Sequence, residues 1–356
     1  MKKVNLYALA GGILLIAFIY ATKAILLPFV FGFAVAYLLD PLADKLEAMR
    51  FPRWLATVVV LATFFLGIIG ILIALAPLLG EQISGLLENI PRYIGAIRPL
   101  LDEWLSKAGQ SFGLEIQTDT KSLVAAAADR SFAQLGQLFA NFVSGGVAFL
   151  NLLMLLLISP VVAFFLLRDW DLIVAKIDSW IPRNNVEIVR LIARRIDRAL
   201  AGFVRGQTVV ALIMMVLYGV GWSMVGLHYA LILGLLAGVL AYVPFVGALF
   251  AVFLAMLLAF GQFGADWVAL GQVLGVFVVV QIIEGGFLTP RMIGSRVGLH
   301  PVWVLFAIFA GGQIMGFVGI LIALPAAAAI GVLVRFAVER YLESDLHKGS
   351  EEAPTP

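Results

Sequence analysis

The sequence lacks several residue types on which soluble proteins depend. It contains no cysteine, so disulfides, thiol redox chemistry and cysteine metal sites are excluded. Charged residues make up only 13% of the 356 residues, too few for the surface of a soluble core of this size. The net charge of +2 gives no reason to expect a nucleic-acid partner. What the chain has instead is 62% hydrophobic residues and a mean hydropathy of +1.05, which predict an integral membrane protein.

Sequence patterns of enzymes are also missing. There is no H-E-x-x-H pair, no G-x-S-x-G elbow, no Walker A loop and no G-x-G-x-x-G after a strand. The histidines, His228, His300 and His347, are too scattered along the chain to predict a metal site. We therefore expect no catalytic residue, no metal and no cofactor. If the chain moves a solute, the absence of a nucleotide motif predicts coupling to a proton or sodium gradient instead of ATP.

Apolar windows of about 20 residues predict an all-α polytopic membrane protein with about eight membrane segments. A polar stretch with helical periodicity interrupts them and predicts a small helical extracytoplasmic domain. The expected order is N-terminal transmembrane helices (1–79), the extracytoplasmic domain (80–141), a transmembrane helix with basic amphipathic cytoplasmic helices (142–206), a transport core (207–340) and a disordered cytoplasmic tail (341–356).

Two apolar segments in the transport core have the wrong length for simple spans. Residues 230–260 and 302–334 would measure about 46 and 50 Å as straight helices, against a hydrocarbon core of about 30 Å. Their centres carry residues that break helices or permit turns: Pro244 and Gly247 in the first, and Gly311, Gly312, Gln313 and Gly316 in the second. These residues predict two re-entrant helical hairpins with solute-binding tips. The alternatives are a kinked full span, and glycines that serve only close helix packing.

The distribution of basic residues favours one threading of the chain. The loops at 40–54 and 168–205 carry clusters of Lys and Arg and are predicted to be cytoplasmic. If 230–260 enters from outside and returns, Arg291 and Arg296 also fall on the cytoplasmic side. Both termini are then cytoplasmic.

A single carboxylate closes the last ordinary span. Glu284 follows an apolar helix that contains Gln281, and a carboxylate at mid-membrane costs about 2.5 to 3.5 kcal/mol on insertion scales. It is therefore a candidate proton or cation site, or a hydrogen-bond acceptor for a hydroxylated cargo. The alternative is an interfacial residue that pairs with Arg291 or Arg296 and holds the loop.

Other polar residues near the predicted pathway have both structural and functional interpretations. Thr289 and Pro290 have the pattern of an N-cap and first residue of a short helix. Arg291 beside them is a candidate contact for an anionic or hydroxylated ligand. Gln207, next to Arg205 at the start of a span, either lines the pathway or lies at the interface.

Four stretches resemble one family of bacterial membrane proteins. They are "EGGFLTPRMIGSRVGLHPVWVLFAIFAGGQIMGFVGILIALPAAA" (284–328), "SPVVAFFLLRDWD" (159–171), "GQTVVALIMMVLYGVG" (206–221) and "YVPFVGALF" (242–250). Together they are similar to the autoinducer-2 exporter family, over essentially the whole chain. The resemblance implies a multi-pass protein of the bacterial cytoplasmic membrane, in contact with lipid, that assembles as a homo-oligomer, a pentamer.

The resemblance also implies a secondary transporter, and three functions stay open. The first is export of a small polar metabolite, the quorum-sensing signal autoinducer-2, by hairpin-based alternating access. The second is exchange of a monovalent cation, sodium or lithium, for protons. The third is a membrane scaffold that does not transport.

Overall fold

The structure is a computed structural model that describes residues 17–111, 146–292 and 300–344, together with Gly11, Leu14 and His347. Part of the predicted extracytoplasmic domain (112–141), Arg296 and most of the predicted tail lie outside the described residues.

Every regular element in the described part of the chain is helical, which confirms the all-α prediction. Short 3₁₀ turns occur at Lys23–Ile25 and Arg183–Asn185, and a π turn occurs at Glu284–Leu288. The α-helices are α1 (Leu26–Ala48), α2 (Arg53–Ser111), α3 (Gly146–Trp180), α4 (Val186–Met224), α5 (Ala230–Leu240), α6 (Val246–Phe263), α7 (Trp267–Ile283), α8 (Thr289–Met292), α9 (Pro301–Met315) and α10 (Phe317–Glu343).

Helix length and composition identify the membrane segments among these residues. Seven are long and apolar enough to cross a bilayer, and they make this a multi-pass membrane protein. Two further apolar helices, α5 with 11 residues and α9 with 15, are shorter. The seven are Leu26–Ala48, Arg53–Leu86, Leu153–Trp180, Arg183–Met224, Val246–Phe263, Trp267–Met292 and Phe317–Glu343.

Two helices run through positions where the polarity of the sequence changes. Helix α2 continues past the boundary predicted at residue 80, and α4 joins the basic amphipathic stretch to the span that begins near 207. Gly80 and Gln207 both lie inside helices, since backbone hydrogen bonds within a helix do not depend on the medium around it. A change of polarity therefore marks where the surroundings change, while the helix itself goes on.

The chain divides into two compact units. Unit one contains Met1–Phe65, Met154–Gln207 and Pro290–Pro356, and unit two contains Leu66–Leu153 and Thr208–Thr289. The border after Gln207 lies next to the predicted start of the transport core, but the core itself is shared between the units. Each packing unit is therefore built from stretches that are far apart in the sequence.

The core of unit one is formed by α1, the start of α2, and α3. Small residues let the helices approach closely: a Cβ on Gly32 would lie 2.8 Å from the Cβ of Val162 and 2.9 Å from the carbonyl oxygen of Ser159. The buried Ser159 hydroxyl donates a hydrogen bond of 3.0 Å to the carbonyl of Pro28. Apolar side chains fill the remaining space, among them Val35, Leu39, Leu61, Phe65 and Leu167.

A charged cluster closes one end of this core. Arg53, at the start of α2, forms ion pairs with Asp40 (2.8 Å), Asp44 and Glu47 (3.1 Å) of α1. Its Nε also donates to the carbonyl of Leu167 in α3 at 3.1 Å. Because one planar guanidinium contacts both helices, it fixes the turn that joins α1 to α2.

Candidate functional site

The polar residues of the last ordinary span lie beside a column of buried aromatic rings in unit two. Tyr218 and Trp222 of α4 are 1% and 0% exposed, and their rings stack at 4.6 Å. The Trp222 indole N–H donates to the carbonyl of Val273 in α7 at 3.2 Å. The Tyr218 hydroxyl donates to the Gln281 side-chain oxygen at 3.2 Å. Gln281 therefore has a specific partner across the interface between α4 and α7.

A π turn follows this column directly. The backbone N–H of Thr289 bonds to the carbonyl of Glu284, five residues earlier, so the helix is widened by one residue there. Pro290 comes next, and a proline inside a regular helix lacks a hydrogen-bond donor and collides with the carbonyl four residues before it. The wider turn, formed by Gly285 and Gly286 among others, accommodates that ring. π turns inside helices are frequent at functional sites.

The expected N-cap at Thr289 is wrong. Helix α8 does begin at Thr289, but it continues α7 through the π turn, and Thr289 itself has helical backbone angles (φ −59°, ψ −49°). The span is thus one helical segment, Trp267–Met292. Taken alone, the pair Thr289–Pro290 looks like a helix start. The local pattern does not show that the preceding helix α7 continues into it.

Glu284 is the first residue of the π turn. It is partly buried, lies three residues after Gln281 on the same helix, and interacts electrostatically with Tyr218. The site therefore combines one carboxylate, one amide and one phenol within an apolar segment. Such a set can accept a cation or proton at the carboxylate and can exchange hydrogen bonds with a hydroxylated solute.

The first over-long segment is broken in unit two. Helices α5 and α6 pack against one another and are joined by residues 241–245. Phe245 in this turn has a positive φ of 64°, a strained conformation for a residue with a bulky side chain. Gly247 is buried, and a Cβ there would lie 2.2 Å from the carbonyl oxygen of Leu240. The glycine is therefore required by the reversal of the chain, next to Pro244 as the sequence predicts.

The second over-long segment reverses at a single glycine in unit one. Gly316 separates α9 from α10 with φ +63° and ψ −138°, a conformation that is essentially restricted to glycine. Gly311 and Gly319 face each other across the two helices: a Cβ on Gly311 would lie 2.5 Å from the Gly319 carbonyl oxygen. Gly311 thus permits close packing of the hairpin, while Gly316 makes the turn.

The remaining candidates occupy different settings. Gln207 is 3% exposed within α4, so its side chain is buried in the protein. Gln313 and Arg291 are exposed. Gly312 lies in α9, where a Cβ would meet only the side chain of Ile320, at 3.2 Å.

The candidates are divided between the two units. Unit two holds Pro244, Gly247, Gln281, Glu284 and Thr289, and unit one holds Gln207, Arg291, Gly311, Gly312 and Gln313. Among the candidates in unit two, Gln281 and Glu284 both interact with Tyr218, a partner that is not evident from sequence.

Three further residues were not predicted from sequence. Tyr218 and Trp222 looked like ordinary apolar members of a span, and no local pattern identifies Phe245 as a strained turn residue. The spacing of Tyr218 and Trp222 is a weak indication that they act together, since residues four apart lie on one helical face. Their partners, however, are more than 50 positions away in the sequence.

The chain is similar in sequence to known transport proteins along most of its length. The family model described as "AI-2E family transporter" matches residues 9–339. A Bacillus subtilis (strain 168) protein named "Putative transport protein YrrI" is 30% identical over 88% of this chain and 86% of its own length. "AI-2 transport protein TqsA" of Escherichia coli (strain K12) is 26% identical over 91% of this chain and 90% of its own length. The chain therefore belongs to the AI-2E family of membrane transporters.

Proposed function

We propose that this protein is a secondary transporter that exports a small polar metabolite, autoinducer-2, and that Glu284 couples export to an ion gradient. The similarity to TqsA, which is named an AI-2 transport protein, supports the choice of cargo. The observation that carries the mechanism is the position of Glu284, partly buried at a π turn beside the Tyr218–Gln281 hydrogen bond.

The cost of the carboxylate supports a functional role. A charged side chain in an apolar segment is unfavourable by about 2.5 to 3.5 kcal/mol near mid-membrane, so it is rarely retained without a partner or a task. Tyr218 and Gln281 provide hydrogen-bonding groups on one side of the residue. Loss or uptake of one proton, or binding of one sodium ion, changes the charge there and so can favour one conformation over another.

The test is transport by purified protein in lipid vesicles, with autoinducer-2, sodium and protons measured side by side. Glu284→Gln keeps the shape of the side chain and removes its charge, so coupled flux should be lost while the protein still assembles. Glu343→Gln, at the exposed end of α10, is the matched control and should transport normally. Normal coupled flux in Glu284→Gln would remove this residue from the mechanism.

The same carboxylate favours a second function, sodium or lithium exchange for protons. A lone carboxylate with oxygen-bearing neighbours is a hard ligand set suited to a small cation. In the same vesicles, proton movement driven by sodium without any efflux of autoinducer-2 would identify this activity. Absence of every flux in well-folded protein would favour the scaffold function instead.

Alternating access by two re-entrant hairpins is the proposed route of transport. Helices α5 and α9 would be only about 17 and 23 Å long, short of a 30 Å core. In secondary transporters, broken helices of this kind place backbone groups near mid-membrane, where they replace water around a solute. The turn at 241–245 and the turn at Gly316 are the proposed tips.

We also propose that both termini lie in the cytoplasm, which requires residues 230–260 to enter the membrane from outside and return there. The chain has no cysteine, so single cysteines can be introduced without a background. Ala265→Cys, in the turn after α6, should react with a membrane-impermeant maleimide added outside intact cells. Ser344→Cys, after α10, should react only once the membrane is opened. Protection of Ala265→Cys from the outside would show that residues 230–260 cross the membrane.

Assembly as a homo-oligomer, a pentamer, within a lipid bilayer is also proposed. Many large apolar side chains on the described helices are exposed, and they meet either lipid or a neighbouring copy. Native mass spectrometry of the protein released from nanodiscs measures the number of copies, and a monomer would contradict the proposal.

A further inference from the structure

Unit two contains an open cavity, lined by both polar and apolar side chains, that is separate from Gln281 and Glu284. Its volume is about 560 Å³, within the range of small-molecule sites. Its walls come from α2, from the turn between α4 and α5, and from the end of α6. All of these stretches belong to unit two.

Hydrogen bonds hold the walls of the cavity in place. The Gln262 side chain accepts from the His228 backbone N–H at 2.7 Å and donates to the Gly226 carbonyl at 2.8 Å, which ties the turn to α6. The Gln82 side-chain oxygen accepts from the backbone N–H of Ile232 at 3.3 Å, which ties α2 to α5. A site whose walls are already ordered loses little entropy when a ligand binds.

Close backbone packing shapes the floor. Tyr93 of α2 is 5% exposed and lies against Gly261 of α6, where a Cβ would come within 1.8 Å of its ring. The Asn89 amide donates to the Gly85 carbonyl at 2.7 Å and to the Tyr229 hydroxyl at 3.2 Å. The Tyr229 hydroxyl accepts that bond, so its own hydrogen remains to be donated.

The lining offers both donors and acceptors. Glu81 and His228 in the lining are exposed, whereas Asn89, with its side-chain oxygen, and Tyr229, with its hydroxyl, are half-buried. The Glu81 carboxylate disfavours an anion. The Tyr93 ring packs against Gly261 and is 5% exposed, so it offers little aromatic surface to an organic cation. A neutral molecule with several hydroxyl groups can donate to the acceptors in this lining and accept from its donors.

We propose that this cavity is a binding site for a neutral polyhydroxylated solute of about monosaccharide size. This proposal goes beyond the proposed function, because a solute can bind in this cavity without being transported. Binding is measured without a gradient, so its outcome is separate from that of the Glu284 transport assay.

The test is equilibrium binding of radiolabelled D-xylose to the purified full-length protein in nanodiscs, with radiolabelled choline as a cationic probe. Saturable xylose binding with a Kd of about 10 mM or tighter is expected. Glu81→Gln and Tyr229→Phe should each weaken it by about three- to tenfold, the effect of one lost hydrogen bond. Glu88→Gln, an exposed carboxylate on the same helix outside the cavity, is the matched control and should bind normally.

Each outcome decides the proposal. Xylose binding that is weakened by the two cavity variants and not by Glu88→Gln supports it. No saturable xylose binding, equal binding in all variants, or saturable binding of choline alone would overturn it. Thermal unfolding midpoints of the variants, measured in the same nanodiscs, distinguish weakened binding from damage to the fold.

Discussion

Substitution of Gly311 by alanine should destabilise the α9–α10 hairpin. The added Cβ would lie 2.5 Å from the carbonyl oxygen of Gly319, 2.9 Å from its carbon and 3.2 Å from the Cβ of Ala323. Ordinary contact begins at 3.4 Å, and the nearest obstacles are backbone atoms that cannot rotate away. The helices would have to separate by about 1 Å along their contact, which is costly in a close-packed interior.

The expected cost follows from two opposing effects. Overpacking a well-packed interface costs about 1 to 3 kcal/mol. Replacing a helical glycine by alanine recovers about 0.5 to 1 kcal/mol of helix propensity. The net loss for Gly311→Ala is therefore up to about 2.5 kcal/mol, and transport should fall as well if the hairpin moves as one body.

The neighbouring glycine provides the control. A Cβ on Gly312 would meet only the flexible Ile320 side chain at 3.2 Å, so Gly312→Ala should be neutral or slightly stabilising. The assay is thermal unfolding of both variants in the same detergent micelles, followed by vesicle transport. Equal midpoints for Gly311→Ala and Gly312→Ala would refute the explanation that backbone contact across the hairpin requires Gly311.

Three further substitutions test packing and anchoring elsewhere. Gly234→Ala would place a Cβ 2.5 Å from the backbone of α4, and after the gain in helix propensity it should cost up to about 2.5 kcal/mol of stability. Gly271→Ala, whose Cβ would meet nothing within 4 Å, should cost none, and thermal unfolding compares the two variants. Arg53→Met should lower the free energy of unfolding by about 2 kcal/mol because three carboxylates lose their common partner. High salt should make the stabilities of this variant and the wild type more alike. Trp222→Phe loses the bond to the Val273 carbonyl and part of a fully buried ring, so it should cost about 1 to 3 kcal/mol in chemical denaturation.

Membrane character and helical class were predictable because they depend on composition summed over many residues. The two breaks in the transport core were also predictable, since Pro244 and Gly316 act through local backbone geometry. His300 likewise precedes the helix expected at Pro301, and its ring nitrogen accepts from the Val302 N–H at 3.3 Å. Each of these signals is contained within a few neighbouring residues.

Contacts between distant residues were not predictable. Nothing near Tyr218 indicates that its hydroxyl bonds to Gln281, which lies 63 positions later. The division into two units joins stretches far apart in sequence, whereas the predicted domains are consecutive. In an apolar chain most spans look alike, so composition gives little information on which helix packs against which.

The π turn shows how one local rule can be interpreted correctly and still give the wrong boundary. The pair Thr289–Pro290 favours a helix start because proline has no N–H to donate. Here the turn before Pro290 is wider instead, so the helix tolerates the missing N–H and the span continues to Met292. Since a regular α-helix through Gly285 and Gly286 would gain little from propensity, widening costs less there than in a run of good helix formers. The carboxylate of Glu284 stands at the first residue of that widened turn, so a change in its charge acts next to an irregular stretch of backbone.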